Sequence, residues 1–278
     1  MTVVVGLKYK DGIIIGSDSQ ATLNRGVPLK KLNHMKLFEI KNNSLDIIIG
    51  GAGSVPFISK AIEEVKKRIK DENTTSFSDV VNFAEQAILH VTRWFNFERM
   101  QDLQPRIVLP EPKQKQGNTK KTMPGSLNQP IMQQVQMQLL DIILLIAGKD
   151  ADGEFQIYVI YNEGIGEKQQ VTASIGSGAA YAEYILSQLA IRELSEKEAI
   201  KTVIYSIAEV TKIDPGVGGV PVVYILNNKE VVQYKPEKVY KILEELEQIR
   251  IHVGNTWQNY LAGKFDKEFK KMRADKAQ

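Results

Sequence analysis

Cysteine is absent from the 278-residue chain, and histidine occurs only three times. The lack of cysteine excludes disulfides, a thiol nucleophile and thiolate metal ligands. His34, His90 and His252 lie far apart in the sequence. Few histidine side chains are therefore present that could form a metal cluster or a Ser-His-Asp triad. We therefore expect no bound metal and no cofactor.

Long apolar runs and strong net charge are also missing. The longest apolar run, residues 142–148, is far too short to cross a bilayer, and no basic segment followed by an apolar core opens the chain. The net charge of +3 is too small to indicate nucleic acid binding. We expect a cytoplasmic protein with neither nucleic acid nor membrane as a partner, and its 43% hydrophobic residues suffice for a packed core.

The predicted strands cluster instead of alternating with helices. Two β-branched runs at residues 2–5 and 12–16 flank the tight turn Asp11–Gly12, which predicts a hairpin. Further strands are predicted at residues 36–40, 45–49, 140–147, 155–161, 171–175, 220–226 and 230–234. Helices are predicted after the glycine segment 50–54 and over residues 77–97, 179–191, 195–212 and 236–251. This order favours an α+β fold, a four-layer αββα sandwich of two mostly antiparallel sheets.

One stretch differs in composition from the rest. Residues from about 100 to 138 are rich in Gln, Lys and Pro and show no periodicity, which predicts an exposed and partly disordered insertion. We expect a single domain over residues 2–251 with this insertion at about 100–138. A basic helical extension over residues 252–278 would follow.

Thr2 could supply both a nucleophile and its base. Initiator methionine is commonly removed before a small residue, and removal of Met1 would give Thr2 a free amine, whose ordinary pKa is about 7.7–8.0. That amine could accept the proton of the hydroxyl on the same residue. A nearby lysine would lower the amine pKa, a carboxylate would hold the lysine, and a glycine would let a backbone N–H approach an oxyanion. Asp18, Lys36 and Gly50 are candidates for these parts, although each alone is more often structural.

The order of these groups along the chain is more specific than any one of them. Six separated elements follow one another: the run Thr2–Gly6, the turn Lys10–Gly12 with the run to Asp18, the segment 36–40 (KLFEI), the glycine segment 47–53, the segment 174–178 (SIGSG), and Asp214 before Gly218–Gly219. This order resembles that of the proteasome β-subunit family. Members of that family are threonine peptidases with the N-terminal nucleophile hydrolase fold. Residues 19–22 (SQAT) are similar to the related bacterial ATP-dependent peptidase.

The resemblance implies a role for each matching residue. Thr2 would be nucleophile and base, Lys36 would tune the amine, and Asp18 would orient Lys36. The Gly50 N–H would serve the oxyanion, and Ser177 and Asp214 would support the terminus. The positions that match the family's pocket for the residue before the scissile bond suggest an apolar preference; they are Ala21, His34, Phe38, Ile48 and Ala52.

The resemblance also implies partners and an activity. The expected activity is that of a threonine-type endopeptidase, which cleaves peptide bonds of a peptide or unfolded protein through an acyl-enzyme ester. Ring assembly with identical or different subunits is implied, and an ATP-dependent unfoldase is a further implied partner. The family's supporting serine in the last loop is Val217 here. This change favours a non-catalytic ring or scaffold subunit, and an amidase or transpeptidase on the same fold is another alternative.

Overall fold

The computed structural model describes residues 2–24, 28–31, 35–42, 45–103, 139–150 and 152–263. Most of the predicted insertion therefore lies outside the described residues. The same is true of His34 and of the last part of the predicted C-terminal extension.

Within the described residues, the β-structure consists of two five-stranded antiparallel sheets and a separate hairpin. The first sheet has the order β10-β1-β2-β11-β12. Its strands are β1 (Val4–Tyr9), β2 (Gly12–Ser17), β10 (Thr172–Ile175), β11 (Val222–Asn227) and β12 (Val231–Gln233). The second sheet follows the chain, with β5 (Leu37–Asn42), β6 (Leu45–Gly53), β7 (Ile142–Lys149), β8 (Phe155–Ile160) and β9 (Gly166–Gln169). The hairpin is formed by β3 (Ala21–Asn24) and β4 (Pro28–Lys31).

Five helices cover the two sheets in the described part of the chain. They are α1 (Val55–Asp71), α2 (Phe77–Leu103), α3 (Ala179–Leu189), α4 (Glu196–Ile213) and α5 (Pro236–Leu261). The start of α4 is fixed by the predicted capping box, in which Ser195 and Glu198 each bond to the other's backbone N–H. Prolines in the first turns of α1 and α5 suit positions whose N–H groups have no partner within the helix.

Three apolar clusters define the layers. One lies between the two sheets and contains Val4, Ile15 and Ile48. A second joins the second sheet to α1 and α2, and a third joins the first sheet to α3, α4 and α5. The expected αββα sandwich with antiparallel sheets is therefore confirmed.

Several elements differ from the prediction. β6 continues through Gly53 because its glycines leave room for α1: a Cβ on Gly51 would lie 2.4 Å from Ile58 Cγ2. The hairpin β3–β4 and the edge strand β9 were not expected, since neither carries a long apolar run. Helix α5 runs to Leu261, beyond the predicted helix end at residue 251. The division into a domain over residues 2–251 and a C-terminal extension stays a prediction.

Within the described ranges, none of the helices has the length and apolar character needed to cross a membrane.

Candidate active site

The ends of several strands meet at one edge of the first sheet. Val4 pairs with Ser17 on one side and with Ile175 on the other, and Ser17 pairs in turn with Val222. The start of β1, the end of β2, the end of β10 and the start of β11 therefore lie side by side. This register brings together residues that are more than two hundred positions apart in the sequence.

The Asp18 carboxylate is the centre of this edge. Its Oδ1 accepts hydrogen bonds from Lys36 Nζ at 2.6 Å and from the Val3 N–H at 3.0 Å. Its Oδ2 accepts from the backbone N–H groups of Gly218 at 3.1 Å and Gln20 at 3.3 Å. Four donors satisfy both oxygens of a carboxylate that is completely buried.

The Lys36 ammonium lies close to the backbone that follows Thr2. It shares the Asp18 Oδ1 atom with the N–H of Val3, which directly follows Thr2. Burial lowers the pKa of Lys36 below its ordinary value, whereas the charges of Asp18 and Asp214 act in the opposite direction. Lys36 is therefore a buried side chain paired with Asp18 beside the start of β1.

Thr2 is held through its own backbone. Its main-chain nitrogen donates to Ser177 Oγ at 3.2 Å, and its carbonyl accepts from the Gly178 N–H at 3.2 Å. Ser177 Oγ donates to Asp214 Oδ2 at 2.7 Å, and Asp214 Oδ1 accepts from the Gly216 N–H at 2.8 Å. A relay of hydrogen bonds therefore fixes the Thr2 nitrogen against the loop that follows α4.

The position before Ser177 requires glycine. The Gly176 φ of +97° is unfavourable for residues with a side chain, and a Cβ there would lie 2.3 Å from the Thr2 carbonyl oxygen. The close approach of this turn to Thr2 is what allows Ser177 and Gly178 to reach the backbone of Thr2.

Gly50 faces the start of β1 from the second sheet. A Cβ on Gly50 would lie 2.6 Å from Val4 Cγ1, so any larger residue would push the two sheets apart at this point. The neighbouring Gly51 N–H donates to the Lys36 carbonyl at 3.1 Å, which ties β6 to the segment that carries the lysine. The sequence had suggested that Gly50 lies directly before α1. In the structure Gly50 lies within β6. Its role at an oxyanion stays a prediction.

Among the described positions expected to line a substrate pocket, Phe38 lies on a different face of the sheet from Ile48. Ile48 and Ala52 are buried in the cluster between the two sheets. Phe38 pairs with Ile49 and packs on the opposite face of the same sheet, against the helices. The cause is the alternation of strand side chains, which places Phe38 and Ile48 on different faces. Ala21 begins β3, and His34 lies outside the described residues.

Val217 belongs to the core and not to the polar network. Its side chain is 3% exposed and packs in the cluster between the first sheet and its helices. The loop around it still contributes through its backbone, because the next residue, Gly218, donates to Asp18. This contact was not predicted from the sequence. The feature of the sequence that could have indicated it is the glycine pair Gly218–Gly219.

No cluster of three His, Asp or Glu side chains that could bind a metal ion occurs in the part of the chain that the structure describes.

The four-layer sandwich is that of the N-terminal nucleophile hydrolases. Comparisons with known proteins point to one family within this class. The family model described as "Proteasome subunit" matches residues 116–226, which include Ser177 and Asp214. A proteasome subunit beta of Ferroglobus placidus is 24% identical over 248 residues, which cover 88% of this chain and 95% of that protein.

Two solved structures share the fold. The ancestral beta-subunit Anbu from Yersinia bercovieri has a TM-score of 0.65 at 11% identity and covers 91% of this chain and 96% of its own. A helical assembly of the Anbu complex from Pseudomonas aeruginosa has a TM-score of 0.67 at 15% identity, with 92% of this chain and 96% of that chain covered. The chain is thus similar in sequence to proteasome β-subunits and in fold to Anbu.

Proposed function

We propose that this proteasome β-like chain is a threonine peptidase that cleaves peptide bonds through an acyl-enzyme ester on Thr2. The proposal requires that Met1 be removed, because the nitrogen of Thr2 is an amide as long as Met1 is attached. Once free, that nitrogen is an amine whose pKa lies near neutral pH. The other candidates for catalytic roles are Asp18, Lys36, Gly50, Ser177 and Asp214.

The first half of the reaction would transfer an acyl group to Thr2. The hydroxyl oxygen attacks the carbonyl carbon of the substrate, and its proton passes to the amine of the same residue. The tetrahedral intermediate then collapses, the bond to the leaving nitrogen breaks, and the leaving nitrogen takes the proton. In the second half, water attacks the ester, restores the hydroxyl and releases the acid.

The observation that carries the proposal is the shared oxygen of Asp18. A single atom, Asp18 Oδ1, accepts from both the Lys36 ammonium and the N–H that follows Thr2. This arrangement supports a positive charge held close to the Thr2 amine, and like-charge repulsion would favour the neutral, basic form of that amine. The contact between the Thr2 nitrogen and Ser177 supports a fixed orientation of the same group.

Intact-mass measurement with a covalent probe tests this function. We expect the purified protein to lack Met1 and to gain the mass of one epoxyketone inhibitor. Thr2→Ala should abolish labelling. Thr256→Ala, which changes a threonine on the exposed end of α5, should keep it. Retention of Met1, or equal labelling of Thr2→Ala, would overturn the proposal.

A non-catalytic ring or scaffold subunit is the second candidate, and the burial of Val217 favours it. The polar partner that the family supplies at this position is replaced by an apolar side chain in the core. Absence of labelling in a folded protein that has lost Met1 would support this candidate. Labelling without hydrolysis of peptides would instead support an amidase or transpeptidase.

We further propose that the chain assembles with copies of itself or with related subunits. The similarity to proteasome-like proteins supports this proposal, and the Pseudomonas aeruginosa relative is described as a helical assembly. Light scattering after size exclusion would give the mass of the particle. An ATP-dependent unfoldase as a partner and the cytoplasm as the compartment remain predictions.

A further inference from the structure

A pocket of about 270 Å³ lies beside the candidate active site and is not used by the mechanism above. Its walls are mostly aromatic and apolar, and its lining residues include Met35, Pro221, Tyr224, Tyr234 and Tyr240. None of the lining residues carries a carboxylate, ammonium or guanidinium group. Burial raises the pKa of Tyr224, so its hydroxyl stays neutral. The pocket is therefore suited to an uncharged occupant.

Ser19 lies in the wall of this pocket, and its hydroxyl is buried without a partner among the described residues. Ser19 is 2% exposed and lines the pocket, and among the described residues nothing forms a hydrogen bond with its hydroxyl. A buried hydroxyl without a partner costs free energy of about 1–3 kcal/mol in proteins. The hydroxyl oxygen itself has almost no accessible surface, so this wall of the pocket offers a ligand van der Waals contact and not a hydrogen bond.

The pocket lies on the same edge of the first sheet as Thr2. The strand order β1-β2-β11 places the start of β11, with Pro221 and Val222, two strands from the start of β1. Neighbouring strands are about 4.8 Å apart, so the separation is about 10 Å. An extended peptide spans this distance in about three residues. A chain that crosses the strand ends from Thr2 would thus reach the pocket with its third residue.

We infer that this pocket binds an apolar side chain of the substrate peptide, about three residues from the bond that Thr2 cleaves. The inference rests on the proposed peptidase function and adds a specificity site to it. The pocket is smaller than the roughly 300–1,000 Å³ that drug-sized ligands occupy, and this size suits a single side chain. Tyr234 and Tyr240 would form its aromatic walls.

Two matched variants test the side-chain contact. Tyr240 and Tyr184 are both tyrosines on the surface of a helix, but only Tyr240 lines the pocket. Peptide pairs that differ only in Leu or Asp, three residues before or after the cleaved bond, would be compared by kcat/KM. We expect the preference for Leu to fall roughly tenfold in Tyr240→Ala, as the loss of a buried apolar contact predicts, and to persist in Tyr184→Ala.

Ser19→Ala gives a different expected result. Because its hydroxyl has almost no accessible surface, this variant should leave the preference for Leu over Asp unchanged. Equal preference for Leu and Asp in the wild-type protein would overturn the inference. An unchanged preference in Tyr240→Ala would do the same, while the peptidase function would stand.

A binding measurement separates this inference from the catalytic proposal. Fluorescence anisotropy of the same labelled peptides on the Thr2→Ala variant needs no chemistry. Tighter binding of the Leu peptide that is lost in Thr2→Ala/Tyr240→Ala would support the pocket even if the protein hydrolyses nothing. Equal affinities for the Leu and Asp peptides, or no binding of either peptide, would refute it.

Discussion

The Asp18 carboxylate and the Lys36 ammonium form an ion pair of 2.6 Å in which the lysine side chain is 5% exposed and the aspartate side chain is inaccessible to solvent. Removing two charges from water is costly, and the cost is offset only when the charges face each other and their other hydrogen bonds are made. Here the carboxylate has three backbone donors in addition to the lysine. The pair is therefore a fixed part of the structure around Thr2.

Neutralising one member of this pair should destabilise the protein strongly. We expect Asp18→Asn or Lys36→Met to lower the free energy of unfolding by about 3–5 kcal/mol, because each leaves a buried charge without its partner. The double variant should lose less than the sum of the two. Urea unfolding measures all three.

An exposed ion pair provides the control for that cycle. Lys201 and Glu245 lie 2.7 Å apart with both side chains 43% exposed. We expect Lys201→Met to change the free energy of unfolding by about 0–1 kcal/mol. Equal effects at Lys36 and Lys201 would show that burial of the Asp18–Lys36 pair has no consequence for stability.

The lowered pKa of Lys36 predicts a specific dependence of stability on pH. Between the folded-state pKa and the ordinary value of 10.5, the unfolded chain binds more protons at this residue than the folded one. Stability contributed by Lys36 should therefore rise with pH through this window and be constant below it. The difference in unfolding free energy between wild type and Lys36→Met, measured by urea from pH 7 to 10, isolates this contribution. A difference that falls with pH would contradict it.

Gly176 and Gly254 should respond in opposite ways to the same substitution. Gly176→Ala places a Cβ 2.3 Å from the Thr2 carbonyl oxygen at a φ of +97°, so we expect a loss of at least about 1–3 kcal/mol. It should also slow labelling of Thr2. Gly254 lies in exposed helix α5 with nothing within 4 Å of a Cβ, and Gly254→Ala should add about 0.5–1 kcal/mol. Thermal unfolding of both variants provides the comparison.

Ser177→Ala should separate orientation of the Thr2 amine from folding. It removes the bridge between the Thr2 nitrogen and Asp214. We expect the rate of probe labelling to fall about tenfold, in line with a net hydrogen-bond contribution near 1.4 kcal/mol. Ser187→Ala, on the exposed face of α3, is the matched control. Equal labelling rates in the two variants would exclude a role of Ser177 at Thr2.

The layers of the fold could be predicted from local patterns because each depends on short-range periodicity. The β-branched runs around Asp11–Gly12 and the capping box at Ser195 specify their elements without distant partners. The face on which Phe38 lies could not be predicted, because the register against β6 decides it. The donor from Gly218 to Asp18 depends on a contact across 200 residues, which no local pattern contains.

The separation in sequence of the groups around Thr2 has a consequence for synthesis of the chain. β2, one neighbour of β1, follows it directly in the chain. The other neighbour, β10, comes more than 160 residues later, and the loop that carries Asp214 and Gly218 comes later still. A nascent chain still on the ribosome therefore cannot hold Thr2 in place until most of the protein has emerged. The fold itself delays any activity of Thr2 until translation is nearly finished.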